Sequence, residues 1–258
     1  MSRSVSVIDA EVIVPRLAFL TAWDMLDLGE VPAVFGTGKH FWMDDTARRQ
    51  LAGSTFGWLS EHGLARGGRV NPLWRDTLRV IAEADIEFYG WSNFRDESHG
   101  GLLVAVRGDS AIRAWADRDT VVLQPIPVKW PATSLVEALP QVDGAPVRAV
   151  TVAQSFYDDP ESARRGPLDG PVDRRDLDHL DTVLSRPRDA VHQLYTAIRV
   201  DDRDRVRSSP ISAIDIADQG RVLTYVTGDA RIVLTPGTPR EIVRTLNDTA
   251  GTLRLGAT

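Results

Sequence analysis

Residues 220–237 read GRVLTYVTGDARIVLTPG, and residues 238–247 continue TPREIVRTLN. Two apolar-rich runs, Val222–Val226 and Ala230–Leu234, flank Gly228-Asp229. Glycine tolerates the positive φ of a tight reversal, so the pair predicts a hairpin. Pro236-Gly237 closes the second run. Thr238 then stands as an N-cap, with Pro239 at the first helical position and Glu241 three residues after the cap. The segment therefore predicts strand, turn, strand, turn, helix. A similar string lies about 120 residues earlier: Leu102–Val106, the turn Arg107-Gly108-Asp109, Ala111–Ala116, and a helix over Ser134–Leu139. The echo predicts two related halves, with the turns at Gly108-Asp109 and Gly228-Asp229 related by an approximate twofold axis.

Outward from these strings the pattern alternates between helical and strand blocks. Ser4–Val14 is β-branched and loosely alternating, a strand. Pro15 opens a helix to Leu28 that Gly29 ends. Asp44 caps a helix over Asp45–His62 whose buried face is Leu51, Thr55, Trp58 and Leu59, and Gly63 stops it. Gly67-Gly68 is a turn, and Asn71-Pro72 starts a third helix ending near Ala84. Ile86–Ser92, Gly101–Arg107, Ser110–Ala116 and Thr120–Ile126 form an antiparallel meander, because their connections are too short for parallel crossovers. Val147–Ala153 is a further strand. Asp158–Arg175 is rich in proline, glycine and charge with little to bury, the composition of a linker. A helix over Asp173–Leu184 leads to a second meander of Val191–Val200, Ile211–Ala217, Val222–Val226 and Ala230–Leu234, with Asp201–Arg207 as a charged hairpin tip.

The sum is an α+β fold with a pseudo-twofold repeat, a central antiparallel sheet and two flanking helical subdomains. All of residues 1–258 make one domain of two halves, about 1–155 and 176–258, joined by the polar linker 156–175.

Composition narrows the function. A net charge of −6 argues against nucleic acid as a partner. The chain has no cysteine, which removes disulfides, zinc–thiolate sites and thiol nucleophiles and fits a reducing compartment. No apolar run approaches a membrane span, and the N-terminus lacks a signal-peptide pattern, so a cytoplasmic protein without membrane insertion is expected.

The search for chemistry finds no catalytic motif. Gly36-Thr37-Gly38-Lys39 lacks the earlier glycine of a phosphate loop, and His40 stands where Ser or Thr would meet magnesium. His179, among Asp176, Asp178 and Asp181, lacks further metal ligands and reads as a solvated acidic face. Asp201, Asp202 and Asp204 lack the glycine and distal glutamate of a calcium loop. His62 sits at a helix C-terminus, where an imidazolium favours the dipole. Trp23, Trp58 and Trp74 take core-like helical positions, whereas Trp91, Trp115 and Trp130 fall in or beside the first meander, where an exposed one could anchor a partner. No catalytic residue, metal ligand or cofactor site is assigned.

The order of features resembles the EspG family, cytosolic chaperones of actinobacterial type VII (ESX) secretion. The resemblance rests on the helix Arg16–Leu28 running into Gly29-Glu30-Val31-Pro32, the end His62-Gly63-Leu64, the turn Gly67-Gly68-Arg69-Val70, and the helix from Asn71-Pro72-Leu73 to Ile81. It resumes at Leu102–Gly108, at Asp215 with Gly220-Arg221, and in the terminal strand-turn-helix. The spacing from Asp215 to Gly220-Arg221 is one residue longer than the family's pattern. The resemblance implies a non-enzymatic, cofactor-free chaperone that caps the apolar tip of a PPE protein in a PE–PPE pair. The candidate contact residues come from the strand pattern, as outward positions on the second meander and its neighbouring helix: Tyr195, Leu223, Tyr225, Thr227 and Arg231. Two alternatives stand beside it, an enzyme with an active site assembled from scattered residues and a scaffold for another helical partner.

Overall fold

The structure, a computed structural model, describes residues 7–36, 43–158, 174–200 and 204–256. Most of the linker 156–175, the GTGK segment beyond Gly36, and Asp201 and Asp202 lie outside the described residues. In chain order the described elements are β1 (Val12–Pro15), α1 (Arg16–Met25), a 3-10 turn Ala33–Phe35, α2 (Asp45–Glu61), the short hairpin β2 (Ala65–Arg66) and β3 (Arg69–Val70), and α3 (Pro72–Ala82). Next come β4 (Ile86–Phe94), β5 (His99–Arg107), β6 (Ser110–Ala116), β7 (Thr120–Pro125), α4 (Pro131–Glu137), β8 (Val150–Ala153) and α5 (Gln154–Asp158). The rest is α6 (Arg174–Leu184), β9 (Arg188–Val200), β10 (Asp204–Arg207), β11 (Ile211–Ile216), β12 (Gly220–Val226), β13 (Arg231–Pro236) and α7 (Pro239–Gly256).

Local chemistry sets these boundaries. The Asp44 carboxylate accepts from the backbone N–H of Thr46 and Ala47, at 2.9 and 2.7 Å, and so caps α2. Asn71 caps α3 through Leu73 N–H, with Pro72 in the first turn, and its amide also donates to Gly63 O. Thr238 Oγ1 accepts from Glu241 N–H at the start of α7. Two limits differ from expectation. Pro15 ends β1, paired with Thr120, and the helix begins after it and stops at Met25. The 3-10 turn inside the expected loop Val34–Met43 buries Val34 and Phe35.

Ten strands form one antiparallel path, β1-β7-β6-β5-β4-β9-β11-β12-β13-β8, and β10 also pairs with β9. The central seam is β4 against β9, nine register pairs from Ile86↔Ile198 to Phe94↔Ala190. Here the expected echo shifts. The Gly108 turn joins the second and third strands out from the seam, whereas the Gly228 turn joins the third and fourth. By strand order the counterpart of Gly108 is the turn at Asp218-Gln219-Gly220. The two turns matched on sequence are therefore one hairpin out of register with each other, because glycine-aspartate reversals recur along any meander and do not by themselves fix position.

Consecutive residues of a strand point to opposite faces, and here both faces are covered. On the first face, Leu103, Ala105, Ala114, Val121 and Leu123 pack under α1, α2 and α3 with Phe19, Trp23, Leu59, Trp74 and Leu78. Further along the same face, α6 covers Val150, Val152, Ile214, Val222 and Leu234 with Leu180 and Val183. On the second face, α4 and α7 lie over Phe88, Val104, Leu194, Ala213 and Leu223. The helices thus occupy three places, where the sequence suggested two flanking subdomains.

Candidate partner-binding surface

Between the α1–α3 block and α6, the first face of the sheet is only partly covered. Across the strands the register runs Trp91↔Gln193↔Ser212↔Thr224, four side chains on one face. Trp91, Ser212 and Thr224 are half-buried and Gln193 is exposed. One step up the seam, Tyr89 and Tyr195 are register partners and stack with ring centroids 5.3 Å apart and planes at 14°. The edge of Trp91 meets both rings at 5.7 Å. The Arg205 guanidinium lies 4.9 Å over Tyr89 and Arg207 lies 5.8 Å over Tyr195. Arg205 also grips Glu87 with two nitrogens, at 3.0 and 2.7 Å. Burial alone would ease the proton off Arg205, but the Glu87 hydrogen bonds and charge outweigh it and raise its pKa, so it stays charged. Aromatic rings held by cations and edged with amide and hydroxyl groups suit a patch with an apolar centre and a polar rim.

The structure separates the five residues picked from the sequence. Tyr195 is on this strip. Leu223 is fully buried against α4 and α7, so its expected outward placement is wrong. A period-2 pattern assigns two faces to a strand but does not say which one a helix will cover. Tyr225 is half-buried beside α7 on that same second face. Thr227 and Arg231 close the β12–β13 hairpin, where Thr227 Oγ1 accepts from Arg231 N–H at 3.1 Å. Tyr195 and the Tyr225–Arg231 group therefore do not meet on one surface.

A second feature was missed from the sequence: a buried polar network. Asp215 and Arg221 are cross-strand partners on β11 and β12. Arg221 Nε donates to Asp215 Oδ1 at 2.5 Å, and Nη2 donates to Oδ2 at 2.9 Å and to Pro140 O at 3.1 Å. His192 Nε2 is 3.2 Å from Asp215 Oδ2, and Ser92 Oγ is 2.7 Å from His192 Nδ1. His192, Asp215 and Arg221 are all buried. Desolvation would raise the Asp215 carboxyl, but the hydrogen bonds and charges of His192 and Arg221 win and hold it below its ordinary value. Gly220 belongs to the same construction. Its φ is +100°, and a Cβ there would sit 2.6 Å from Asp143 O. The backbone of Arg221 meets the loop after α4 and the end of β13 closely: Arg221 N–H donates to Asp143 O, and Arg221 O accepts from Ala145 and Gly237, all at 2.7 Å. The late Asp and Gly-Arg, noticed as a string, are thus a buried ion pair closing a hairpin beside a residue that must be glycine. Two charged residues of opposite sign flanking a five-residue reversal that ends in glycine are the signal that could have found it.

A family model described as the EspG family matches residues 15–248. The chain belongs to the EspG family. No curated protein matches this EspG-family chain in sequence. Among solved structures, it is similar to the Mycobacterium tuberculosis type VII secretion system chaperone EspG5, solved in complex with a PE25–PPE41 dimer. That likeness has a TM-score of 0.69 at 18% identity and covers 93% of this chain and 96% of the other. At that identity the likeness establishes the shared fold of the EspG-family chain. Among the described residues no helix is long and apolar enough to cross a membrane.

Proposed function

We propose that this chain is a non-enzymatic, cytoplasmic chaperone of type VII secretion that caps the apolar tip of a PPE protein in a PE–PPE pair. The observation that carries this is membership of the EspG family over residues 15–248. The EspG5 structure supports it, because that relative is seen with a PE–PPE dimer. An exposed apolar tip drives aggregation unless covered. The proposed covering surface is the strip of Trp91, Gln193, Tyr195 and Arg207 on the first face, where aromatic anchors stand inside a polar border. Tyr225, Thr227 and Arg231 face elsewhere and fall outside the proposed contact set. The chain is also proposed to be one domain of two halves related by a pseudo-twofold axis through the β4–β9 seam, a reading the mirrored strand order supports.

One constellation favours the enzyme alternative: Ser92, His192 and Asp215 lie in hydrogen-bonded sequence. Its geometry argues against hydrolysis. Serine meets Nδ1 and aspartate meets Nε2, the reverse of the hydrolase arrangement. Arg221 already neutralises Asp215, and Ser92 sits inside a strand paired on both sides, where neighbouring N–H groups serve the ladder and cannot form an oxyanion hole.

The test is co-expression with a PE–PPE pair encoded nearby, followed by size-exclusion chromatography. A ternary peak is expected. Trp91→Ala and Tyr195→Ala should each weaken the complex about 10- to 30-fold while leaving the free protein folded. No complex with any neighbouring pair would sink the chaperone reading, whereas a complex indifferent to both variants would sink only the assigned surface.

A further inference from the structure

On the second face of the sheet, at the end of α4, lies a cavity of about 400 Å3. Phe94, Leu102 and Trp115 wall it from the sheet, and Ala138 and Pro140 wall it from above. Gly100 gives it depth: a Cβ there would meet only Ala116 O, at 3.2 Å, so the floor is low where a side chain would otherwise stand. Ser92 and Pro140, on two of its walls, are the two ends of the buried network described above. The path runs from Ser92 through His192, Asp215 and Arg221 to Pro140 O.

That connection is informative. Buried ion pairs are poor sources of stability, and apolar side chains of similar volume often serve as well or better. The network does something apolar packing would not. It pins the loop carrying Pro140 to the strand carrying Ser92, and so fixes the width of the space between them. A pre-formed, largely apolar cavity with a few polar groups is the ordinary form of a small-molecule site, within the usual range of roughly 300–1,000 Å3.

We propose that this cavity binds a compact, neutral aromatic or branched-apolar molecule, seated against Trp115 and Phe94 with a polar edge toward Ser98 and His99. The border disfavours negative charge, and the apolar walls disfavour an ion of either sign, which would lose its hydration there. Asp117 and Glu137 line the border alongside Arg113, whose terminal nitrogens donate to Ser134 O and Gln124 Oε1. An anion would meet two carboxylates beside a guanidinium whose terminal nitrogens are already engaged, leaving only its Nε–H, buried and without a partner, to donate to the polar edge of a neutral guest. The site is on the face opposite the Trp91–Tyr195 strip and does not rest on the partner reading.

The probe is N-phenyl-1-naphthylamine, a neutral fluorophore whose emission rises in apolar surroundings, titrated into the full chain. One saturable site is expected, with quenching of tryptophan emission that Trp115→Phe reduces. Ala138→Trp, made at an exposed position, should fill the space and weaken binding about ten-fold or more with the thermal midpoint retained. Trp115→Ala, a second route to the same question, should weaken binding by removing a wall. The anionic analogue 1-anilinonaphthalene-8-sulfonate should bind about five-fold less tightly, as the border carboxylates demand. Absence of saturable binding, or binding by both Ala138→Trp and Trp115→Ala as tight as that of the unaltered chain, would overturn the proposal. Displacement of the probe by a bound PE–PPE pair would refute the independence of the two sites.

Discussion

Replacing Arg221 by methionine is the sharpest perturbation the structure offers. The substitution roughly keeps side-chain volume and removes the charge. Asp215 then stays buried with only His192 beside it, and Pro140 O loses its donor. Orphaning a buried charge costs about 3–5 kcal/mol, and the lost carbonyl hydrogen bond adds about 1 kcal/mol. Arg221→Met should therefore cost about 4–6 kcal/mol, a fall in thermal midpoint on the order of 8–24 °C for a chain of this size. The double variant Arg221→Met with Asp215→Leu removes both charges and leaves the His192 nitrogen and Pro140 O without their partners. It should cost about 2–4 kcal/mol. The assay is urea unfolding of wild type, both single variants and the double variant, read as a double-mutant cycle at constant m. A coupling of about 3 kcal/mol or more is expected between the two sites. Additive single effects, or an Arg221→Met cost below about 1 kcal/mol, would refute the view that the pair acts as one buried unit.

Further expectations follow from the same geometry. Gly220→Ala places a Cβ 2.6 Å from Asp143 O at a φ of +100° and should cost about 2–3 kcal/mol by urea unfolding, since backbone must move. Asp44→Ala removes the α2 cap and should cost about 1 kcal/mol, with increased amide exchange confined to the first turn of that helix. Because the Asp215 pKa is lowered in the folded state, its contribution is present at neutral pH and is lost as the pH falls below about 4. Asp215→Asn should accordingly flatten the acid limb of a stability-against-pH curve, and an unchanged limb would count against that assignment.

Much of the fold is legible in the sequence because its signals are local. Asp44, Gly63, Asn71-Pro72 and Thr238-Pro239 mark helix ends through their own side chains and backbone preferences, and each lies where it was expected. Strand blocks are legible from β-branched runs between turns. What escaped depends on residues far apart. The pairing of β8 with β13 joins segments about 80 residues apart, and no local pattern announces it. The break between β10 and β11 arises at Ser208–Pro210, where Ser208 and Thr196 exchange hydrogen bonds and the register shifts by one. On the candidate surface, Tyr195 is legible as an aromatic on a strand, but Trp91 joins it only through the β4–β9 seam and Arg207 only through the β9–β10 pairing. Leu223 was misplaced because coverage by α4 and α7 is a tertiary fact. His192 carries no sequence signal at all, since its partners come from β4 and β11.

The β4–β9 seam has a consequence in time as well as in space. Tyr89 and Tyr195 are partners separated by 106 positions in the chain. On the ribosome, β4 emerges and can pair with β5 at once, but its other edge has no mate until β9 is made. At roughly 5–20 residues per second that interval is about 5–20 s. For that interval a nine-residue strand presents open N–H and C=O groups, the kind of template that recruits other chains. A protein proposed to shield the sticky end of another is thus, while it is being synthesised, a nascent chain with a sticky edge of its own.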